Sequence, residues 1–225
     1  MKIKYIIWIA CTAFATVIYA NVSNWLEVVP GAFKATASSS LIEKGKPASF
    51  YGPANVIDGK LETAWCSNAH GSTVQGEFIE LEIKPTAAQG IHFLPGFGKN
   101  QGLYKLNNRI KKARITFVDV SGKIQDEIAE IKRDPLDCTS CYMGDDCSNP
   151  QNNEPCALDN YGGGDSISLI FDEYKCIKKV RIEVMDVYKG DKYDDTCIAE
   201  IELLTPFGGI VPQDFIEFKK HECEQ

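Results

Sequence analysis

The sequence predicts an all-β protein, an antiparallel β-sandwich, on three observations. Short segments rich in Ile, Val, Phe and Thr recur along the 225 residues, separated by Gly, Pro, Asn or Asp. Two of them, 78–83 (Phe-Ile-Glu-Leu-Glu-Ile) and 180–185 (Val-Arg-Ile-Glu-Val-Met), alternate apolar and polar with the period of a half-buried strand. No long amphipathic helix competes with them, so the alternating strands and helices of a parallel sheet are not expected.

Taken in order, residues 1–20 read as a secretory signal peptide. Lys2 and Lys4 give the charged start, 5–18 the apolar run, and Ala20 the small residue at the cleavage point. That run is too short for a membrane span. A lipid anchor at Cys11 is the minor alternative, because cleavage there leaves an apolar run of only about six residues. Residues 21–207 form the sandwich domain, with strands expected at 35–39, 77–83, 90–94, 110–120, 124–131, 166–171, 177–187 and 196–204. The segment 124–131 also suits a short helix, since Gln-Asp-Glu-Ile-Ala-Glu-Ile lacks strict alternation. Residues 134–165 are an insertion holding four cysteines and a Gly-Gly-Gly run, too polar to build a core. Residues 208–225 are a polar tail, which Cys223 ties back to the body.

Charge and cysteine content narrow the class. The net charge is −7, and −9 once Lys2 and Lys4 leave with the signal, which argues against nucleic acid or an anionic membrane surface as partner. The sequence places the protein outside the cytoplasm, secreted, extracellular or periplasmic. Nine cysteines become eight without Cys11, and an exported chain makes disulfides their default fate. They are Cys66, Cys138, Cys141, Cys147, Cys156, Cys176, Cys197 and Cys223, with connectivity open. Cys138-Thr-Ser-Cys141 with Cys147 and Cys156 also has the spacing of a zinc site, but export favours disulfides there.

Two segments carry the candidate chemistry. Residues 55–65, Asn-Val-Ile-Asp-Gly-Lys-Leu-Glu-Thr-Ala-Trp, crowd carbonyls, a carboxylate and a hydroxyl into a glycine turn, and 195–202, Asp-Thr-Cys-Ile-Ala-Glu-Ile-Glu, open an apolar strand with a carboxylate. Together they read as two halves of one oxygen-lined cation site, or, without metal, as a turn with a capping Asp and an exposed Glu. Between Phe97 and Thr116 every charged residue is positive: Lys99, Lys105, Arg109, Lys111, Lys112 and Arg114. That stretch is either an anion-binding face or a solvated strand face. An enzyme is not expected, since the three histidines form no metal-binding pair and no nucleophile elbow or phosphate loop is visible.

These segments, with 76–81 (Gly-Glu-Phe-Ile-Glu-Leu), Gly96-Phe-Gly-Lys99, 107–111 (Asn-Asn-Arg-Ile-Lys) and Val187-Tyr-Lys-Gly190, resemble a discoidin-type, galactose-binding-like domain. The resemblance is closest to the glycan-binding, or translocation, domain of secreted bacterial NAD glycohydrolases, and it covers about residues 33–205. The cysteines from 138 to 156 are not part of the common pattern. The resemblance implies a jelly-roll sandwich that binds glycans or glycoconjugates, or a protein partner, without catalysis. It implies a structural calcium ion held by Asp58 and Glu200, the carbonyls of Asn55, Lys60 and Ala199, and an oxygen of Thr63. It implies ligand contacts from the loop holding or flanking Phe97, Lys99, Tyr104, Asn108 and Arg109. It also brings Cys66 and Cys197 close together, so a disulfide between them is expected.

Overall fold

Two very long strands, β3 and β6, organise this computed structural model, which describes residues 33–69, 74–131, 167–205 and 213–223. The elements run β1 (Phe33–Ala37), a 3-10 turn (Pro53–Ile57), β2 (Trp65–Cys66), β3 (Phe78–Pro95), α1 (Gln101–Leu106), β4 (Arg109–Asp119), β5 (Ile124–Glu130), β6 (Ile167–Tyr188), β7 (Cys197–Leu204), α2 (Gln213–Phe218) and a π turn (Lys219–Cys223). All the strand pairs are antiparallel.

Each long strand serves both layers of a jelly-roll sandwich. The first part of β3 lies between β1 and the second part of β6, with Phe33 opposite Ile83 and Leu81 opposite Val180. The last part of β3 lies between β7 and the first part of β6, with Phe93 opposite both Ile201 and Ile167. β4 and β5 extend the first layer beyond β6, and β2 extends the second beyond β7. The sequence expected two strands in place of each long one, broken at 84–89 and 172–176. Both breaks are bends instead, and the β3–β6 register shifts between Glu82 and Thr86 and again between Ala88 and Gly90. Pro85 falls in such a shift, where a missing N–H costs no ladder bond. The two strands thus arch together from one layer to the other, and that arch closes one pole of the sandwich.

The core fills the space between the layers. Ile79, Leu81, Val180 and Ile182 point inward from the first layer, and Ile91, Phe93, Ile201 and Leu203 from the second. Each such side chain contributes about 1.5–3 kcal/mol by leaving water. Trp65, fully buried, completes the core and donates its indole N–H to the Ser39 carbonyl at 2.8 Å. The alternation read at 78–83 and 180–185 is the inward and outward alternation observed, and 124–130 is a strand.

Among the described residues, two disulfides tie elements together. Cys66 and Cys197 face each other across the β2–β7 pair and are bonded, and Cys176 on β6 is bonded to Cys223. The second bond ties the C-terminal segment to the body as expected, and that segment is helical where the sequence read only a tail. The signal segment 1–20, the insertion 134–165 and Cys138, Cys141, Cys147 and Cys156 lie outside the described residues. No helix among the described residues is long and apolar enough to cross a membrane.

Candidate functional site

Opposite the arch, the loops at 38–68, 96–108 and 189–196 meet at the other pole. The 3-10 turn begins at Pro53, whose fixed φ suits a first helical position, and it ends at Asp58. Gly59 follows with φ +72, a conformation that side chains rarely adopt, so the chain reverses there. The reversal gathers oxygens. Asp58 Oδ1 accepts the Lys60 N–H at 3.0 Å, and the Thr63 hydroxyl oxygen lies 2.9 Å from both Asp58 oxygens and 3.0 Å from the Lys60 carbonyl oxygen. One hydroxyl proton cannot serve three acceptors at once, so lone pairs are left over. Asn55 braces the loop from behind, its amide N–H donating to the carbonyls of Phe50 at 2.9 Å and Ala64 at 2.8 Å.

Glu200, from β7, comes up against this turn. It is only 4% exposed, and neither carboxylate oxygen has a hydrogen bond of ordinary geometry. Burial raises its pKa to about 8, the negative charges of Asp58 and Glu202 push the same way, and the nearby N–H groups of Gly59 and Lys60 oppose the rise. The sequence-derived set of Asn55, Asp58, Lys60, Thr63 and Glu200 is therefore brought to one place, with Ala199 buried beside Glu200. An orphaned buried carboxylate facing a turn rich in lone pairs fits a hard cation that takes six to eight oxygens. Cys66, Cys197 and Asp195 also lie within 4.8 Å of one another, but both sulfurs are spent in the disulfide and offer no thiolate.

The residues expected to contact a ligand are placed otherwise. Phe97, Tyr104, Asn108 and Arg109 are 7%, 1%, 0% and 1% exposed, and Lys99 alone of the five is at the surface. The Arg109 guanidinium donates to the carbonyls of Asn107 at 2.9 Å, Tyr104 at 3.1 Å, Lys105 at 3.4 Å and Lys189 at 3.3 Å, tying the end of α1 to the turn after β6. Asn108 donates to the Asp194 carbonyl at 2.6 Å and accepts the Gly190 N–H at 2.8 Å. These side chains pin loops from inside and do not present themselves to a ligand. Gly96 is required here, because a Cβ would come within 2.6 Å of the Tyr104 ring.

The basic stretch is likewise a neutralised surface. Lys105 pairs with Asp191 at 3.4 Å, Lys111 with Asp186 at 2.8 Å, Lys112 with Glu130 at 3.3 Å and Arg114 with Glu183 at 3.4 Å. These four pairs give Lys105, Lys111, Lys112 and Arg114 the surroundings of a charge-balanced surface. Its partners come from β5 and β6 and the turn that follows β6, which residue order alone does not reveal.

What the sequence reading missed at this pole is aromatic. Phe50 is 41% exposed and stacks edge-on against Tyr51 with centroids 4.8 Å apart, and Tyr51 in turn meets Phe97 at 6.1 Å. The Tyr51 hydroxyl donates to Glu43 at 3.0 Å. Burial first, then that bond and the charges of Glu43, Asp195 and Tyr193, push its pKa up to about 12, so it stays protonated. Tyr193 is exposed nearby, with Lys192 over its ring at 4.8 Å, and Lys46 lies 4.6 Å from the Phe50 ring centre. The cue was present, since Phe50-Tyr51 sits between Pro47 and Gly52-Pro53, outside any strand. Tyr51 packs on the small buried cluster of Ala64, Cys66, Phe97 and Cys197, which leaves Phe50 outermost.

Comparison with known proteins follows this geometry. A family model described as the NAD glycohydrolase translocation F5/8 type C domain matches residues 27–204. The chain belongs to this family. Among solved structures, the F5/8 type C domain of a Bacteroides fragilis protein superposes with a TM-score of 0.51 at 14% identity, covering 81% of this chain and 97% of that one. The module CBM32-3 of a family 31 glycoside hydrolase from Clostridium perfringens superposes at 0.50 and 14% identity, covering 83% and 97%. At that identity the likeness establishes the fold, the discoidin-like sandwich that the sequence resembled. A search of curated proteins returned no match.

Proposed function

We propose that this F5/8 type C domain is an exported, non-catalytic carbohydrate-binding module that takes its glycan at the loop pole. The observation that carries the reading is the pair of exposed aromatic residues Phe50 and Tyr193, with the half-buried Tyr51 behind Phe50, beside the Asp58 and Glu200 turn. Aromatic rings pack on the apolar face of a sugar, while the flanking Glu43, Lys46 and Lys192 offer acceptors and donors for its hydroxyls. The CBM32 name of one structural neighbour supports this chemistry by analogy of fold.

Calcium is the cation the turn fits. Asp58 and Glu200 would hold it as carboxylates, with the carbonyls of Asn55, Lys60 and Ala199 and the Thr63 oxygen completing the set. The ion would supply charge compensation for Glu200 and stiffen the turn that backs the aromatic group. It would take no part in any reaction.

The family description favours a second reading. A domain named for translocation of an NAD glycohydrolase would use the same pole for a protein partner. A glycan array probed with the folded protein, in calcium and in chelator, separates the two. Binding to a defined glycan, weakened by chelation and lost in Phe50→Ala with Tyr193→Ala, supports the carbohydrate reading. Absence of any glycan binding in calcium overturns it in favour of a protein partner.

A further inference from the structure

The first layer ends on β5, which pairs with β4 on one side and, among the described residues, with no strand on the other. The β4–β5 register runs unbroken from Val118 opposite Ile124 to Lys112 opposite Glu130. At its two ends the Asp119 N–H donates to the Lys123 carbonyl at 3.1 Å, and the Ile131 N–H to the Lys111 carbonyl at 2.8 Å. Opposed residues of an antiparallel pair alternate between bonded and non-bonded, so the odd-numbered residues of β5 are the ones bonded to β4. Ile124, Asp126, Ile128 and Glu130 therefore turn their N–H and C=O groups away from β4, toward the open edge.

The side chains of these same four residues lie on the outer face, since Ala129 between them belongs to the core. Ile124 is 66% and Ile128 49% exposed, with Val120 at 38% in the turn before them. The other large hydrophobic side chains exposed among the described residues, Ile42, Phe50 and Tyr193, stand at the loop pole. The β5 edge is thus a second place where apolar surface is left in water. Its isoleucines alternate with Asp126 and Glu130, Glu127 adds a third carboxylate, and the strand holds no cation. The Thr116 hydroxyl bonds Asp126 at 2.7 Å without neutralising it, and Lys112 answers Glu130 at 3.3 Å.

Charge on an open edge ordinarily keeps a strand from pairing with its own copy, and the registers show that it does so here. Two antiparallel copies of β5 centred on residue 126, 127 or 128 would set Asp126 against Asp126, Glu127 against Glu127, or Asp126 against Glu130. Like charges directly opposite are destabilising. The pattern is complementary instead to a strand that alternates basic and apolar residues.

We propose that the open edge of β5 docks an extended segment of a partner polypeptide, added as a further antiparallel strand. Lysine or arginine in that segment faces Asp126 and Glu130, and an apolar residue faces Ile124 and Ile128. The added backbone bonds the free N–H and C=O groups, the carboxylates select the basic side chains, and the isoleucines are covered. None of these residues is assigned to the glycan or the cation, so the inference stands apart from the reading of the loop pole.

The test is titration of the isotope-labelled protein with the blocked peptide Lys-Thr-Val-Thr-Lys-Thr-Ile, followed by NMR and amide hydrogen exchange. Laid antiparallel, the peptide sets its lysines against Glu130 and Asp126 and its apolar residues against Ile128 and Ile124. Saturable shifts are expected along 124–130, with exchange slowed at the amides of 124, 126, 128 and 130. The amides of 125, 127 and 129, already bonded to β4, should not change. Ile128→Pro removes an outward N–H and no ladder bond, and should weaken binding at least tenfold with the fold retained. Asp126→Lys with Glu127→Lys, which leaves the backbone untouched, should abolish it. A peptide of the same composition in scrambled order, or with glutamate for lysine, should not bind. No saturable binding, slowing without the alternation, equal binding of the scrambled peptide, or full affinity in the lysine variant overturns the proposal. A dimer in sedimentation that Ile128→Pro dissociates would assign the edge to a second copy of the chain and overturn it as well.

Discussion

The loop pole and the outer face of the first layer are built from the same kinds of residue, yet they use charge in opposite ways. On the sheet face, among the described residues, many charges are answered across or along the strands: Lys34 by Glu82, Lys179 by Glu80, Arg114 by Glu183, Lys112 by Glu130. Such half-exposed pairs are worth little individually, but they leave nothing for a ligand to satisfy. At the loop pole Arg109 is buried among carbonyls, Glu200 is buried without a hydrogen bond of ordinary geometry, and the Phe50 and Tyr193 rings are partly exposed. Unsatisfied groups cost stability and are kept where something binds. The difference teaches that charge density is a poor guide to function and that unmet bonding capacity is a better one.

The largest effect that would break this comparison is loss of the covalent tie at the pole. The Cys66–Cys197 bond closes a chain separation of 131 residues. Replacing both cysteines by serine should cost on the order of 4 kcal/mol in denaturant unfolding. A loss under about 1 kcal/mol would mean that the loops hold themselves. Next comes Arg109→Ala, which strands several buried carbonyls and should cost about 3 kcal/mol by the same measurement. Arg114→Ala, on the laddered face, should stay within about 0.5 kcal/mol. Equal losses at the two arginines would erase the distinction.

Titration sharpens the comparison further. The raised pKa of Glu200, about 8 when folded against an ordinary glutamate value of 4.5, means that the native state without a cation binds a proton which the unfolded chain has released. The contribution is therefore fully present below about pH 4.5 and is lost as pH rises toward 8, by at most about 1.4 kcal/mol per pH unit. Melting curves in chelator should fall across that window, and Glu200→Gln should flatten the fall. Calcium competes with the proton for Glu200, so its stabilising effect should grow over the same interval. A melting temperature indifferent to calcium at pH 8 would remove the ion from the account.

Much of the architecture was legible because it rests on local pattern. The alternation at 78–83 and 180–185 places inward and outward residues correctly, and the Gly59 turn with Asp58 announces a tight reversal. What escaped was non-local. Residues 84–89 and 172–176 look like turns, and only pairing between two distant bends keeps them in strand. Asn108 and Arg109 look like sugar-binding groups by residue type, yet the loop at 189–194 closes over them. Phe50 and Tyr51 carry no periodic signal, because two adjacent aromatics outside a strand do not show in sequence which of them is covered. That Asp58, Lys60 and Thr63 share one turn was readable because they are close in sequence, and the approach of Glu200 from β7 is the non-local part.

The smallest structural change with the clearest functional reading is truncation of the exposed rings. Phe50→Ala with Tyr193→Ala should lower the melting temperature by only about a few degrees, since the two residues are 41% and 38% exposed. Glycan binding by this double variant in calcium, beside Lys112→Ala with Arg114→Ala, decides where the ligand sits. The loop-pole assignment predicts at least a tenfold weaker interaction for the aromatic pair and wild-type affinity for the basic pair. Retained affinity in the aromatic variant, with loss in the basic one, would place the ligand on the sheet face and contradict it.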